Sequence, residues 1–215
     1  MLSIARAVIA LAALALAGCS TVRPLPVVQN QQLKMPPGTL DKVAVVPFSH
    51  RDTLPKYSGE GGVTPDVAAE LVTRFVTDAL AARGISVIPA SDLSTAFSAQ
   101  GLRSVDLTPH GVAMLASREF GATSILMGEV SRYRERAGEK YGSTTPASVG
   151  FNLTLFAAPA GQRVWSSQFD QTQRPLSEDI LAGRRYPGGG TRWLSAAELA
   201  QWGAESAVET LPAPF

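Results

Sequence analysis

Residues 64–84 specify a complete helix within one stretch of sequence, and what flanks that helix restricts the fold more than any other feature of the chain. Thr64 is placed to cap, Pro65 suits the first turn because its missing N–H would find no helical partner there, and Asp66 complements the positive end of the dipole. Val67, Leu71, Val72, Phe75, Val76, Ala79 and Leu80 recur at the 3.6-residue period on one stripe, and Gly84 supplies a left-handed stop. Short β-branched runs lie on both sides: KVAVVPF at 42–48 and ISVI at 85–88. Their length and flanks favour buried strands over helical turns. Pro47 puts the end of the first run at a sheet edge or bulge, and a polar loop carrying Gly59, Gly61 and Gly62 joins it to the helix.

The remaining pattern completes a mixed architecture. Ser91 reads as the cap of a short helix containing Leu93 and Phe97. Residues 109–120 give another helix, with Val112, Leu115, Ala116 and Phe120 inward and Gly121 closing it. Residues 123–130 form a third strand that runs on toward Arg136. Val149, Phe151, Leu153 and Leu155 then alternate with Gly150, Asn152 and Thr154, as a half-buried antiparallel strand requires. Turn residues at 159–162 lead into a returning strand at 164–169, which makes a three-strand meander with Trp165 and Phe169 on one face. Near the end, Ser195-Ala196-Ala197-Glu198 is a capping box with Leu194 and Leu199 at the staple positions, so a helix starts near Ala196. The expected fold class is α/β (α+β): a mixed sheet with an antiparallel meander, helices packed on it, and a C-terminal helix. The expected divisions are 1–18, a signal peptide; 19–40, a proline-rich linker; 41–170, the core domain; and 171–215, an extension. Within 21–39, Val27-Val28 leaves open a part packed as an edge segment.

The amino terminus addresses location. Arg6 precedes an eleven-residue run from Ala7 to Ala17 without a polar side chain. At about 1.5 Å per residue that run covers only about half of a hydrocarbon core of about 30 Å, which suits a cleaved signal and not a membrane-spanning helix. Leu16-Ala17-Gly18-Cys19 resembles the lipobox of bacterial lipoproteins, and the chain's single cysteine occupies its last position. The resemblance implies cleavage before Cys19 and acylation there, with two or three acyl chains holding the protein to the lipid bilayer at about 0.8 kcal/mol per buried CH2. Ser20 in the next position implies an outer-membrane address facing the periplasm.

Composition closes several classes. Removing Arg6 with the signal leaves 18 basic against 18 acidic residues, a neutral mature chain without the charge that captures nucleic acid. One cysteine excludes an internal disulfide, and two histidines exclude a three-histidine metal centre. No nucleophile elbow, phosphate loop or His-Glu-x-x-His occurs. Gly59-Glu60-Gly61-Gly62 lacks the lysine a phosphate site needs, and His50 and His110 have no partner at ligand spacing. The sequence therefore implies no enzyme, no cofactor and no metal. Aromatic residues near the C-terminus are the better signal, since Trp at a boundary between water and protein marks packing or binding. Arg184, Arg185, Tyr186, Trp193 and Trp202 form the candidate partner-binding segment, with simple packing on the domain as the competing account.

The ordered words VAVVPF at 43–48, GISVI at 84–88 followed by Ser91-Asp92-Leu93, ILMGEV at 125–130, and Gly161 leading to Val164-Trp165-Ser166 resemble the core of the curli-secretion lipoprotein family. Its wider superfamily includes the Pel-polysaccharide export lipoprotein, lipoprotein activators of peptidoglycan synthases, and the amino-terminal domain of the TolB envelope protein. The resemblance spans residues 42–169. It implies a non-enzymatic assembly or export accessory that binds envelope proteins or itself, with contact activation of a cell-wall synthase as the alternative and an envelope hydrolase as a distant third. One departure matters. Arg132, Arg134, Glu135, Arg136, Glu139 and Lys140 crowd the hairpin position where a pore-forming relative needs lipid-facing apolar residues, so this hairpin is expected to stay in water.

Overall fold

A computed structural model describes residues 28–52, 54, 62–101, 108–139, 142–174, 186–187 and 191–213. Cys19, Lys140, Tyr141, Arg184 and Arg185, and most of the glycine-bearing loop, lie outside the described residues.

The first helix, α1, spans Pro65–Ala82, and Thr64 Oγ1 accepts from the Val67 amide at 3.4 Å as the local sequence requires. Gly84 follows with φ +77°. The buried stripe lies slightly to one side of the expected one: Ala68, Ala69, Val72, Thr73, Val76, Ala79 and Leu80 are covered, while Val67 is 40% exposed. Small residues let the helix sit close to its neighbours, and the bulkier Val67 is left facing outward. Helix α2 spans Ala90–Ala99, and here the expectation needs correction: Pro89 is the cap, with no side-chain bond, and Ser91 lies inside the first turn. Proline's fixed φ starts that turn one residue pair earlier than a serine cap would. Helix α3 spans Pro109–Phe120, capped by Thr108 and stopped by Gly121 at φ +66°. Helix α4 spans Ala196–Glu209 with both bonds of the capping box formed.

Nine strands accompany them among the described residues: β1 Val28–Gln32, β2 Lys42–Val45, β3 Ser49–His50, β4 Ser86–Ile88, β5 Ser124–Arg134, β6 Ala137–Glu139, β7 Gly142–Thr145, β8 Ser148–Ala157 and β9 Gln162–Thr172. The main sheet runs β1-β9-β8-β5-β2-β4, with β3 beside the far half of β5. Strands β2, β4 and β5 are parallel, whereas β5, β8, β9 and β1 form an antiparallel half. The sheet is therefore mixed, and the meander is β5-β8-β9. Strands β6 and β7 form a separate two-stranded hairpin at the charged segment. Residues 28–32 pack as an edge strand on β9, the edge segment that Val27-Val28 left open.

Alternation along β2 and the residue after it divides the core into two. Val43 and Val45 face α1 and α4, while Ala44 and Val46 face α2 and α3. All four are buried because helices cover both sides of the parallel half. On the antiparallel half, Phe151, Leu153, Leu155, Trp165 and Phe169 join the α1 and α4 side. Asn152, Thr154, Ser166 and Gln168 point the opposite way, where they are at most half-buried.

Candidate functional site

The C-terminal segment is fastened to the meander by side chains that follow two of its strands. Gln173, only 2% exposed, follows β9 and reaches across to the returning chain. Its carboxamide donates to the Arg192 carbonyl at 2.8 Å and accepts from the Leu194 amide at 2.7 Å. One side chain thus supplies the donor and acceptor that a neighbouring strand would. Glu135, just beyond β5, accepts from the Ala196 amide with both oxygens at 3.1 Å, placing a carboxylate at the positive end of α4. Arg136 donates to the Trp193 carbonyl at 2.6 Å.

The capping box adds a further tie. Ser195 and Glu198 exchange bonds of 2.8 and 3.1 Å, and Arg192 reaches Glu198 at 2.7 Å. The hydrogen bond from Arg192 holds the Glu198 carboxyl below its ordinary range, against the opposing effect of partial burial, with help from Ser195. Tyr133 on β5 moves the other way: burial, reinforced by the nearby Glu135 charge, pushes its hydroxyl up to about 12.

Aromatic packing continues the attachment inward. Phe151 stacks on Phe169 with centroids 5.2 Å apart, Phe169 meets the edge of Trp202 at 5.9 Å, and Trp202 lies against Tyr186 at 5.2 Å. Helix α4 comes this close because residue 203 is glycine; a Cβ there would stand 2.7 Å from the Phe169 ring. At the far end, Arg83 from the close of α1 donates to the carbonyls of Val208, Leu211 and Pro212 at 2.5, 3.0 and 3.3 Å, which satisfies acceptors that a helix end leaves open.

These contacts locate the candidate partner-binding residues. Tyr186 is 8% exposed and its hydroxyl donates to the Thr172 carbonyl at 3.4 Å, while Trp202 is half-buried between Tyr186 and Phe169. The structure brings the two together beside Phe169. Trp193 is half-buried at the other end, before α4. Local sequence shows the capping box but carries no signal for Gln173, Glu135 or Arg83, whose acceptors and donors are 19 to 129 residues away.

His50 pairs with Asp66 at 3.1 Å, and His110 contacts the Ala160 carbonyl at 3.1 Å. Among the described residues no three His, Cys, Asp or Glu side chains cluster in a way that could hold a metal ion, and no helix is long and apolar enough to cross a membrane.

No known family profile matches the chain, and no curated protein does. Solved structures similar to it include a PelC dodecamer from Paraburkholderia phytofirmans, at 22% identity over 72% of this chain and 89% of that one, TM-score 0.41. The LpoB C-terminal domain from Escherichia coli is similar at 20% identity over 62% and 84%, TM-score 0.41. Lipoprotein GNA1162 from Neisseria meningitidis is similar at 18% identity over 66% and 90%, TM-score 0.42. TM-scores below 0.5 place this chain in no family.

Proposed function

We propose that this chain is an outer-membrane lipoprotein whose periplasmic domain serves envelope assembly or export, without catalysis, by associating with other proteins or with itself. The observation that carries the reading is Leu16-Ala17-Gly18-Cys19, a lipobox-like word whose cysteine lies nine residues before the first described strand. That spacing reaches at most about 30 Å when extended, so the domain works close to the bilayer. Such a body suits contact with neighbouring envelope proteins better than capture of a diffusing substrate.

Partner contact runs through residues 184–202. Arg184, Arg185, Tyr186, Trp193 and Trp202 are the residues that carry it, with Tyr186 and Trp202 packed against each other. Arg guanidinium groups and Trp rings concentrate binding energy at interfaces. The anchor is tested by Cys19→Ser: the unsubstituted chain is cleaved and sediments with membranes, and the variant is expected to lose both properties. Equal fractionation of the two forms overturns the anchor. The contact is tested by cross-linking in membranes. Arg184→Ala with Arg185→Ala and Trp193→Ala is expected to remove a partner adduct while leaving the thermal midpoint within about 2 °C; an unchanged adduct overturns the segment's role. Deleting α4 instead would remove Leu199, Ala200, Ala204 and Ala207, all fully buried, and would report on folding.

A further inference from the structure

Strand β1 closes one side of the sheet, and its outer edge has no main-chain partner among the described residues. The direction of its groups follows from one bond. Leu33 donates to the Val164 carbonyl at 2.9 Å, continuing the register that sets Val28 opposite Phe169 and Gln32 opposite Trp165. Bonded and non-bonded pairs alternate along an antiparallel ladder. Leu33, Gln31 and Gln29 therefore bond to β9, and Val28, Asn30 and Gln32 turn their N–H and C=O groups outward.

This edge also lacks the usual protection. Its five residues, VQNQQ, contain no charge and no proline, and the pairing with β9 runs without a register shift. The opposite edge, β4, is guarded by being three residues long. An open strand with an odd number of residues and outward groups at its first, third and fifth positions is complementary to its own copy.

We propose that β1 docks a second copy of this chain, pairing antiparallel with the second copy's β1 about a two-fold axis at Asn30. The proposal deepens the association reading above and rests on it. The axis sets Asn30 opposite Asn30 and Val28 opposite Gln32, so the outward groups form about six hydrogen bonds, two per opposed pair. Gln29 meets Gln31 of the second copy, and each carboxamide both donates and accepts. The chain outside the described residues fits this arrangement. The two Val28 residues stand about 14 Å apart at strand rise, and each tether reaches about 30 Å, so both acyl groups enter one leaflet. Confinement to that leaflet raises the effective concentration of the second strand.

The test uses the full lipidated chain in membranes. Residues opposed at a bonded pair have Cα atoms about 5.5 Å apart, within disulfide range. Asn30→Cys is expected to give a covalent dimer on mild oxidation, and Gln31→Cys, displaced from the axis, is not. Gln29→Lys with Gln31→Lys sets like charges opposite each other and is expected to weaken the dimer roughly tenfold, while Gln29→Glu with Gln31→Lys restores it. Asn30→Pro removes only an outward N–H, so the fold persists and the dimer is lost. No cross-link through Asn30→Cys, an equal yield from Gln31→Cys, or indifference to the charge swap overturns the pairing. A larger assembly that forms without this cross-link also overturns it, yet leaves the association reading standing; failure of that reading shows separately, as the absence of any cross-linked adduct, with itself or with another protein, from the unsubstituted chain in membranes.

Discussion

At residue scale, polar side chains fix where the C-terminal segment sits, and their protonation gives the domain a readable pH response. The Glu198 carboxyl is held below its unfolded value by Arg192. Its contribution to stability is therefore complete above the unfolded carboxylate range, near pH 4.3, and is lost as pH falls through the lower folded value. Urea unfolding of Glu198→Gln is expected to show a deficit at neutral pH that closes toward acid. Tyr133 has the opposite sign. Its folded value of about 12 lies above the ordinary 10, so the advantage of the neutral phenol is intact below about pH 10 and declines as pH rises toward the folded value. Tyrosinate absorbance is expected to show a late-titrating component that Tyr133→Phe diminishes. Trp202 joins Tyr186 to Phe169, and Trp202→Ala is expected to cost about 3 kcal/mol in equilibrium unfolding.

At element scale, α4 depends on what other parts of the chain present to it. Its start is self-contained: Ser195 and Glu198 cap it, with Leu194 and Leu199 both fully buried beside them. Its seating is not. Gly203 lets the helix lie against Phe169, so Gly203→Val is expected to push it off the sheet and lower stability by about 1–3 kcal/mol. Arg83→Ala leaves three carbonyls at the helix end without their donor, and a loss of about 1–3 kcal/mol is expected, most of it retained by Arg83→Lys only if a single contact suffices. The same distinction explains which elements could be read in advance. Helix α1 carries its cap, its period and its stop within twenty-one residues, 64–84. Strand β1 carries none of these, since Val-Gln-Asn-Gln-Gln has no apolar alternation and becomes a strand only because β9 offers an edge.

At the scale of the whole molecule, residues either side of the expected core belong to one body. Val28 and Phe169 face each other across β1 and β9, and the helix from the tail covers the same aromatic cluster. A soluble form beginning at Ser20 is expected to unfold cooperatively, whereas one beginning at Thr39 lacks β1, opens the edge of β9, and should melt several degrees lower by circular dichroism. Equal melting points would show that β1 contributes nothing to the fold.

The linear chain determined whatever depends on neighbours within about one helical turn or one strand pleat: the N-caps of α1 and α4, the glycine stops of α1 and α3, and the alternation of β8. Those signals act through local hydrogen bonds and side-chain periodicity, which need no distant partner. Tertiary structure alone decided that 28–32 is a strand, that Gln173 brackets residues 192 and 194, that Arg83 closes α4, and that Trp202 lies between Tyr186 and Phe169. Each of those outcomes depends on groups far apart along the chain, and an unpaired polar group or an exposed ring has no preferred conformation until folding brings its partner within reach.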